Sequence, residues 1–348
     1  MLAGPAPEAG TPFGFAVSRA AAQRLLGADP ATLRPGATGR TARLDVGYAD
    51  AATATPAQNV VAILPGSDPA LRGQYVAIGS HNDHDGLAEQ PVDHDSLRAF
   101  NTVMRPRGAE DQPGTPTAAQ QARIRAILDS LRAAGPPRVD SVYNGADDDG
   151  SGSMAMLEIA ESLAAQTTKP KRSVLFVWHT AEEKGLFGSE HFGAHPTVTR
   201  DSIVAQINID MIGRGKATDL PNGGPQYLQL LGSRRLSTQL GDLVEQVNRD
   251  RQAGFRFDYT YDAEGHPDQY YCRSDHYNYA RWGIPVVFFS TGGHRDYHQL
   301  TDEPQYIDYA GLARVTRFIH DVALAISNAP TAPRVDKPKP DPQGACRQ

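Results

Sequence analysis

The stretch RSVLFVWHTAEEKGLFGSEHF, residues 172–192, runs an apolar segment into two adjacent acids, Glu182 and Glu183, followed by Gly185 and Gly188. Two acids also suit the first turn of a helix, where they meet its positive end, so the pair alone does not define a site. The same pattern recurs along the chain. His81 and Asp83, Asp148, Asp210, Asp275 and His298 each follow or border a strand-like run. In an open α/β sheet, ligands bind beyond the carboxyl ends of the strands. Repeated imidazoles and carboxylates at such ends therefore point to chemistry at one edge of one sheet.

The residue types narrow that chemistry. The chain has only two cysteines, Cys272 and Cys346, too few for a Cys-rich zinc site. They form one disulfide tying down the C-terminal tail, or both are free. A metal must then be held by His and Asp or Glu, donors that zinc accepts at low coordination number. A zinc pair about 3.5–4 Å apart needs a bridging carboxylate and further ligands on each side. Two histidines and three carboxylates supply that set. One more carboxylate, near the metals but not bound to them, can serve as general base. Adjacent acids that point different ways, such as Glu182 and Glu183, suit this division. Sequence chemistry does not choose among the successive acids Asp147, Asp148 and Asp149.

The positioning elements follow from periodicity. Short non-alternating apolar runs at Asn59–Leu64, Gln74–Gly79, Ser173–Trp178, Ile203–Ile209, Tyr227–Leu231 and Ile284–Ser290 predict buried strands. Thr41–Val46 alternates, and Phe13–Val17 is a further strand candidate. Helices are expected at Arg19–Leu26 behind Ser18, at about 116–134, at Met154–Ala165 with an inward stripe of Met154, Leu157, Ile159 and Leu163, at Ser237–Arg249, and at about 309–326. Strands alternating with helices imply a mostly parallel sheet covered on both faces. The expected organisation is an appendage at 1–35, a catalytic domain at 40–327 with an insertion or lid at 87–144, and a Pro-rich extended tail at 328–348.

A net charge of −6 without a dense basic block argues against nucleic acid or an anionic membrane as main partner. No apolar run reaches membrane-spanning length. Residues 1–12 lack the basic start and apolar centre of a signal peptide. The expectation is a cytoplasmic protein if Met1 is the genuine start, or an exported one if a leader lies upstream.

The blocks GSHNDHDG, NGADDDGSG, LFVWHTAEEKGLFGS, INIDMIGR, SDHYNYARWGIP and HRDYHQLTDEP, in that order across roughly residues 40–325, resemble the co-catalytic dizinc aminopeptidases. The resemblance implies a zinc-exopeptidase (phosphorylase/hydrolase-like) fold, three-layer α/β/α with a mixed, mostly parallel sheet, and cleavage of N-terminal peptide bonds of peptides or small proteins. It implies two Zn2+ per chain: His81 and Asp210 on one, Glu183 and His298 on the other, and Asp148 bridging. Glu182 is then the general base, Asp83 the carboxylate that fixes the His81 tautomer, and Tyr297 an oxyanion donor. Asp275 is expected to position the substrate amine or a loop. His84, His94, His276 and His294 are expected to be solvent-facing or hydrogen-bonded loop histidines, and His179 and Trp178 to pack. The aromatics of 255–272 line an apolar pocket or simply pack. FGFAVSRAAAQRLLG resembles the end of a protease-associated domain, and the family implies a secreted or periplasmic setting. The alternatives are a glutaminyl-cyclase-like enzyme with one zinc, a related carboxypeptidase, or a catalytically inactive binding module on the same fold.

Overall fold

The apolar runs that end in acids form the middle of one sheet in this computed structural model, which describes residues 17–41, 55–220 and 222–348. The strands are β1 (Val60–Leu64), β2 (Tyr75–His81), β3 (Gly86–Asp93), β4 (Val139–Tyr143), β5 (Ser173–His179), β6 (Ile203–Ile209), β7 (Tyr227–Leu231), β8 (Arg256–Asp258) and β9 (Val286–Ser290). The helices are α1 (Arg19–Leu26), α2 (His94–Met104), α3 (Ala118–Ala134), α4 (Gly150–Ala165), α5 (Phe187–Ala194), α6 (Thr238–Asp250), α7 (Tyr277–Ala280) and α8 (Tyr309–Asn328). Seven strands make the main sheet in the order β1-β5-β2-β6-β9-β7-β8. The central four, β5-β2-β6-β9, are mutually parallel, whereas β1 pairs antiparallel with β5 and β7 antiparallel with β9.

Successive residues of a strand point to opposite faces, and both faces here are dry. Val76 and Ile78 of β2 and Val174 and Phe176 of β5 enter one core with α4, α6 and α8. Ala77, Leu175 and Val177 enter a second core with Phe192 of α5 and Tyr279 and Ala280 of α7. Helical layers on both faces explain the continuous apolar runs. The sheet is α/β, three-layered and mixed, and the four parallel strands all deliver their carboxyl ends to the same edge.

Several local expectations are corrected. The buried stripe of α4 is Ala155, Met156, Ile159 and Leu163, while Met154 and Leu157 are about half exposed. Gly152 lies on the same buried face, where a Cβ would strike the Ile209 carbonyl and the Asp149 carboxylate. The segment 87–144 contains the expected helix, α3, started by a Thr117–Gln120 capping box. It also contains α2 and the antiparallel pair β3–β4, which periodicity did not reveal because neither strand holds a buried residue.

The chain divides into two compact units, Met1–Pro56 and Ala57–Gln348. In the first, Ser18 Oγ caps α1 by accepting from the Ala21 N–H, and Gly27 closes it in a left-handed conformation. The strand candidate at residues 13–16 and most of Thr41–Val46 lie outside the described residues. In the second unit, Cys346 of the tail is disulfide-bonded to Cys272. Among the described residues, no helix is long and apolar enough to cross a membrane.

Candidate active site

β2 ends on His81, β5 runs on to Glu182 and Glu183, β6 to Asp210, and the loop after β9 carries His298. Asp148 arrives on the turn before α4. Its two oxygens face two imidazoles: Oδ1 lies 3.1 Å from His81 Nε2 and Oδ2 lies 3.2 Å from His298 Nε2. Asp210 Oδ1 is 3.7 Å from His81 Nε2, and Glu183 Oε2 is 3.1 Å from His298 Nε2. One carboxylate thus stands between two His–carboxylate pairs.

The flanking acids have different tasks. Asp149 accepts the backbone N–H groups of Gly152 and Met211 on one oxygen and that of His81 on the other. Asp147 accepts from Gly213 N–H and pairs with His294 Nε2 at 2.9 Å. Asp302 accepts the N–H groups of both Asp147 and Asp148. Asp147 and Asp149 tie neighbouring strand ends together, and Asp148 alone of the three meets both imidazoles. The Asp148–Asp149 peptide is cis. Ala181, Met211 and His298 hold positive φ without being glycine, a conformation retained only where surrounding structure enforces it.

Burial and charge separate the adjacent glutamates. Glu182 is pushed well above the usual carboxylate range, chiefly by burial, with the acids Asp275, Asp210 and Asp148 adding to it against His81. Burial also acts on Glu183, but hydrogen bonds from His298 and His84 outweigh it and hold Glu183 low. Opposed shifts in neighbouring groups are how a site assigns different acid–base roles. Burial disfavours charge on His81 and His298, yet the surrounding carboxylates win. His81 rises well above its ordinary value and His298 to about 10.

A cation fits this donor set. His81 Nε2 and Asp148 Oδ2 are buried and lack a hydrogen-bond partner despite their short distances to other ligand atoms. The ligand atoms of His81, Asp149 and Asp210, and of Asp85, Glu183 and His298, each gather within 4.8 Å. Imidazole nitrogen with carboxylate oxygen is a donor mixture zinc accepts.

Around the ligands, Asp83 places its backbone carbonyl 3.1 Å and its carboxylate 3.8 Å from His81 Nδ1, and Asp83 also accepts the Glu182 N–H. Tyr297 lines the cleft beside His298. Burial, then the Asp148 charge, holds its phenol proton on far above the ordinary tyrosine value. The cleft, about 450 Å³, is lined by the acids Asp148, Glu182, Glu183 and Asp210 and by Leu186, Met211, Leu231, Tyr270 and Phe288. Asp275 is buried and does not line it; burial pushes its carboxyl up to about 7.

His84 is a hydrogen-bonded loop histidine, as expected, but its partner belongs to the acidic cluster. Its Nδ1 lies 2.5 Å from Glu183 Oε1, inside the cluster. Asp85 reaches His298 Nδ1 at 3.4 Å. Both sit in the same GSHNDHDG block as His81, which was the available signal. By contrast, His94 pairs with Glu303 at 3.0 Å, and His276 packs on Phe288. His179 is buried and held neutral, down to about 3. Of the aromatics in 255–272, Tyr270 lines the cleft, while Phe255 and Phe257 pack on Phe318. Glu110 and Arg273, taken up below, had no sequence signal.

Sheet order, helical layers and the strand-end cluster define an α/β/α protein of zinc-exopeptidase architecture. The family model described as Peptidase family M28 matches residues 59–323, and the chain belongs to that family. Leupeptin-inactivating enzyme 1 of Streptomyces exfoliatus is 31% identical over 170 residues, 48% of this chain and 34% of that protein. An aminopeptidase of Pseudomonas aeruginosa (strain UCBPP-PA14) is 44% identical over 134 residues, 35% of this chain and 24% of that protein. The matches therefore span about a quarter to a third of these relatives. Among solved structures, the fold resembles an aminopeptidase from Aneurinibacillus sp. strain AM-1, with TM-score 0.50, 20% identity, 81% of this chain and 51% of that chain covered. A zinc aminopeptidase from Bacillus subtilis gives TM-score 0.50 at 17% identity, covering 80% of this chain and 52% of that one.

Proposed function

We propose that this protein is a zinc aminopeptidase with two metal positions, one held by His81 and Asp210, the other by Glu183 and His298, with Asp148 shared. The observation that carries the reading is the placement of Asp148, one oxygen 3.1 Å from His81 Nε2 and the other 3.2 Å from His298 Nε2. Aminopeptidase names among the relatives support the activity.

Bound zinc would polarise the scissile carbonyl and lower the pKa of water at the site. The chain's own residues do the rest. Glu182, whose carboxyl burial raises well above the usual carboxylate range, takes a proton from the attacking water and returns it to the leaving amine. Asp83 holds His81 by its Nδ1 side and fixes the backbone of Glu182. Tyr297 donates its phenol proton as a hydrogen bond to the oxygen that gains charge. The carboxylates that line the cleft receive the substrate's α-ammonium, which makes the enzyme an exopeptidase acting on peptide or small-protein N-termini. The Cys272–Cys346 disulfide is of a kind that persists in oxidising compartments and supports an exported protein. We also propose that 57–327 is the catalytic domain, with 87–144 an insertion into it.

The experiment is zinc quantification with a panel of aminoacyl chromogenic amides, with and without chelator. Two zincs per chain and chelator-sensitive release of the N-terminal residue are expected. One zinc per chain with no amide hydrolysis would overturn the reading in favour of a cyclase-like enzyme.

A further inference from the structure

One turn of the segment 87–144 packs against two residues that line the cleft, Tyr297 and Arg273. Gly108–Glu110 forms a single 3₁₀ turn after α2, and it is fastened to Tyr297 in three ways. The Ala109 N–H donates to the Tyr297 carbonyl at 3.0 Å. Gly108, at φ +61°, lies so close that a Cβ would strike the Tyr297 carbonyl and come within 2.8 Å of its nitrogen. Glu110 Oε1 is 2.7 Å from Arg273 Nη2, and that same nitrogen donates to the Tyr297 phenol oxygen at 3.1 Å. Arg273 is further held by the Asp268 carbonyl and lies over the Tyr270 ring.

This geometry constrains a proton. A phenol oxygen that accepts from a guanidinium has its own O–H turned away from that donor. Among the described residues no hydrogen bond takes the Tyr297 proton, and Tyr297 lines the cleft. A guanidinium cannot be deprotonated near neutral pH and never acts as acceptor, so the direction of the bond is fixed. Glu110 fixes the guanidinium in turn.

We infer that Arg273 and Glu110 are positioning residues that present Tyr297 to the substrate as a hydrogen-bond donor, so that the insertion completes the catalytic cleft. The inference rests on the reading of Tyr297 as oxyanion donor given above. It makes Glu110 the residue through which the segment between the two acidic motifs acts on the reaction, at the stage where charge develops on the carbonyl oxygen.

The test is a double-mutant cycle on the zinc-loaded full chain with an aminoacyl p-nitroanilide, zinc content being measured for every variant. Tyr297→Phe is expected to lower kcat roughly 100-fold, the scale of one oxyanion donor, with little change in KM. Arg273→Met should lower kcat by about 10-fold or more, again at nearly constant KM. The double variant should be no worse than Tyr297→Phe alone. Glu110→Gln, a neutral isostere beside Arg273, should lower kcat several-fold, and Arg273→Lys should restore part of the loss. Binding of an aminoalkylphosphonate, an oxyanion mimic, should weaken in parallel with kcat, while product amino acid binds unchanged. If Tyr297→Phe lowers kcat but Arg273→Met and Glu110→Gln do not, or if the losses multiply in the double variant, the inference is overturned. If Tyr297→Phe itself leaves kcat intact, the oxyanion reading has failed first. Should Arg273→Met not fold, the Glu110→Gln kcat and phosphonate affinity decide.

Discussion

Zinc capture by this cluster should release protons, and the structure says how many and over which pH range. In the metal-free protein, His298 titrates at about 10 and His81 well above 6.5, because Asp148, Glu183, Asp210 and Glu182 surround them. Both folded-state values lie above the unfolded value. Their protonation therefore stabilises the metal-free fold fully below about pH 6.5, and that contribution is lost as pH rises through the folded values. Zinc needs neutral imidazole, so it competes with those protons. For His298 at pH 7, a gap of about three pH units corresponds to about 4 kcal/mol of competition. If, as proposed, each metal position holds one imidazole, two protons should leave per zinc pair. Apparent affinity should then rise by at least about 10-fold from pH 7.5 to 8.5, the share of His298 alone. The window is chosen to discriminate, since imidazoles of ordinary pKa are already neutral there and would give a slope near zero. The assay is competition with a zinc indicator across that range, paired with calorimetry in two buffers of different ionisation enthalpy. A flat affinity between pH 7.5 and 8.5, with no buffer-dependent heat, would refute the argument that the carboxylates hold both imidazoles charged.

Glu182→Gln should retain full zinc content and lose turnover by roughly 10³-fold, within the range of general acid–base catalysis; unimpaired kcat would remove Glu182 from its role. Gly188→Ala places a Cβ against the Thr180 backbone and Asn59 at the turn behind Glu182. It should cost about 1–3 kcal/mol of stability by overpacking, read by chemical denaturation, and no change in midpoint would show that the turn yields. Cys346→Ser opens a cross-link spanning 74 residues. Loop-closure entropy predicts a loss of about 4 kcal/mol, visible as a lower Tm, together with a raised KM because Cys272 lines the cleft; equal Tm with and without reductant would exclude this.

The sequence by itself determined the strands and their chemistry. Runs such as Ser173–Trp178 have no alternation, which only a strand covered on both faces requires, and the acids and histidines sit just past their ends. Those patterns are local, and they sufficed for the α/β architecture and for placing His81, Glu182, Glu183, Asp210 and His298 at strand ends, while the choice of Asp148 among three successive acids came from the family resemblance alone. Exposed elements left no such mark. β3 and β4 hold no buried residue, the buried residues of α2 are His94, Ala99 and Asn101 and form no apolar stripe, and the buried face of α4 runs through Gly152, Ala155, Met156, Ile159 and Leu163.

What tertiary structure decided was which groups meet. Three successive acids are chemically equivalent on paper. The fold spends Asp147 on Gly213 and His294, spends Asp149 on three backbone N–H groups, and leaves Asp148 facing both imidazoles. His84 looks like a loop histidine until β2 and β5 are paired side by side, with His81 against His179, which brings His84 to Glu183. Arg273 and Glu110 are 163 positions apart in number and meet only because the turn after α2 rests on the loop after β9. Short-range pattern encodes which surfaces are dry. Contacts between distant strand ends depend on the register and order of the whole sheet, and no local stretch of the chain carries that information.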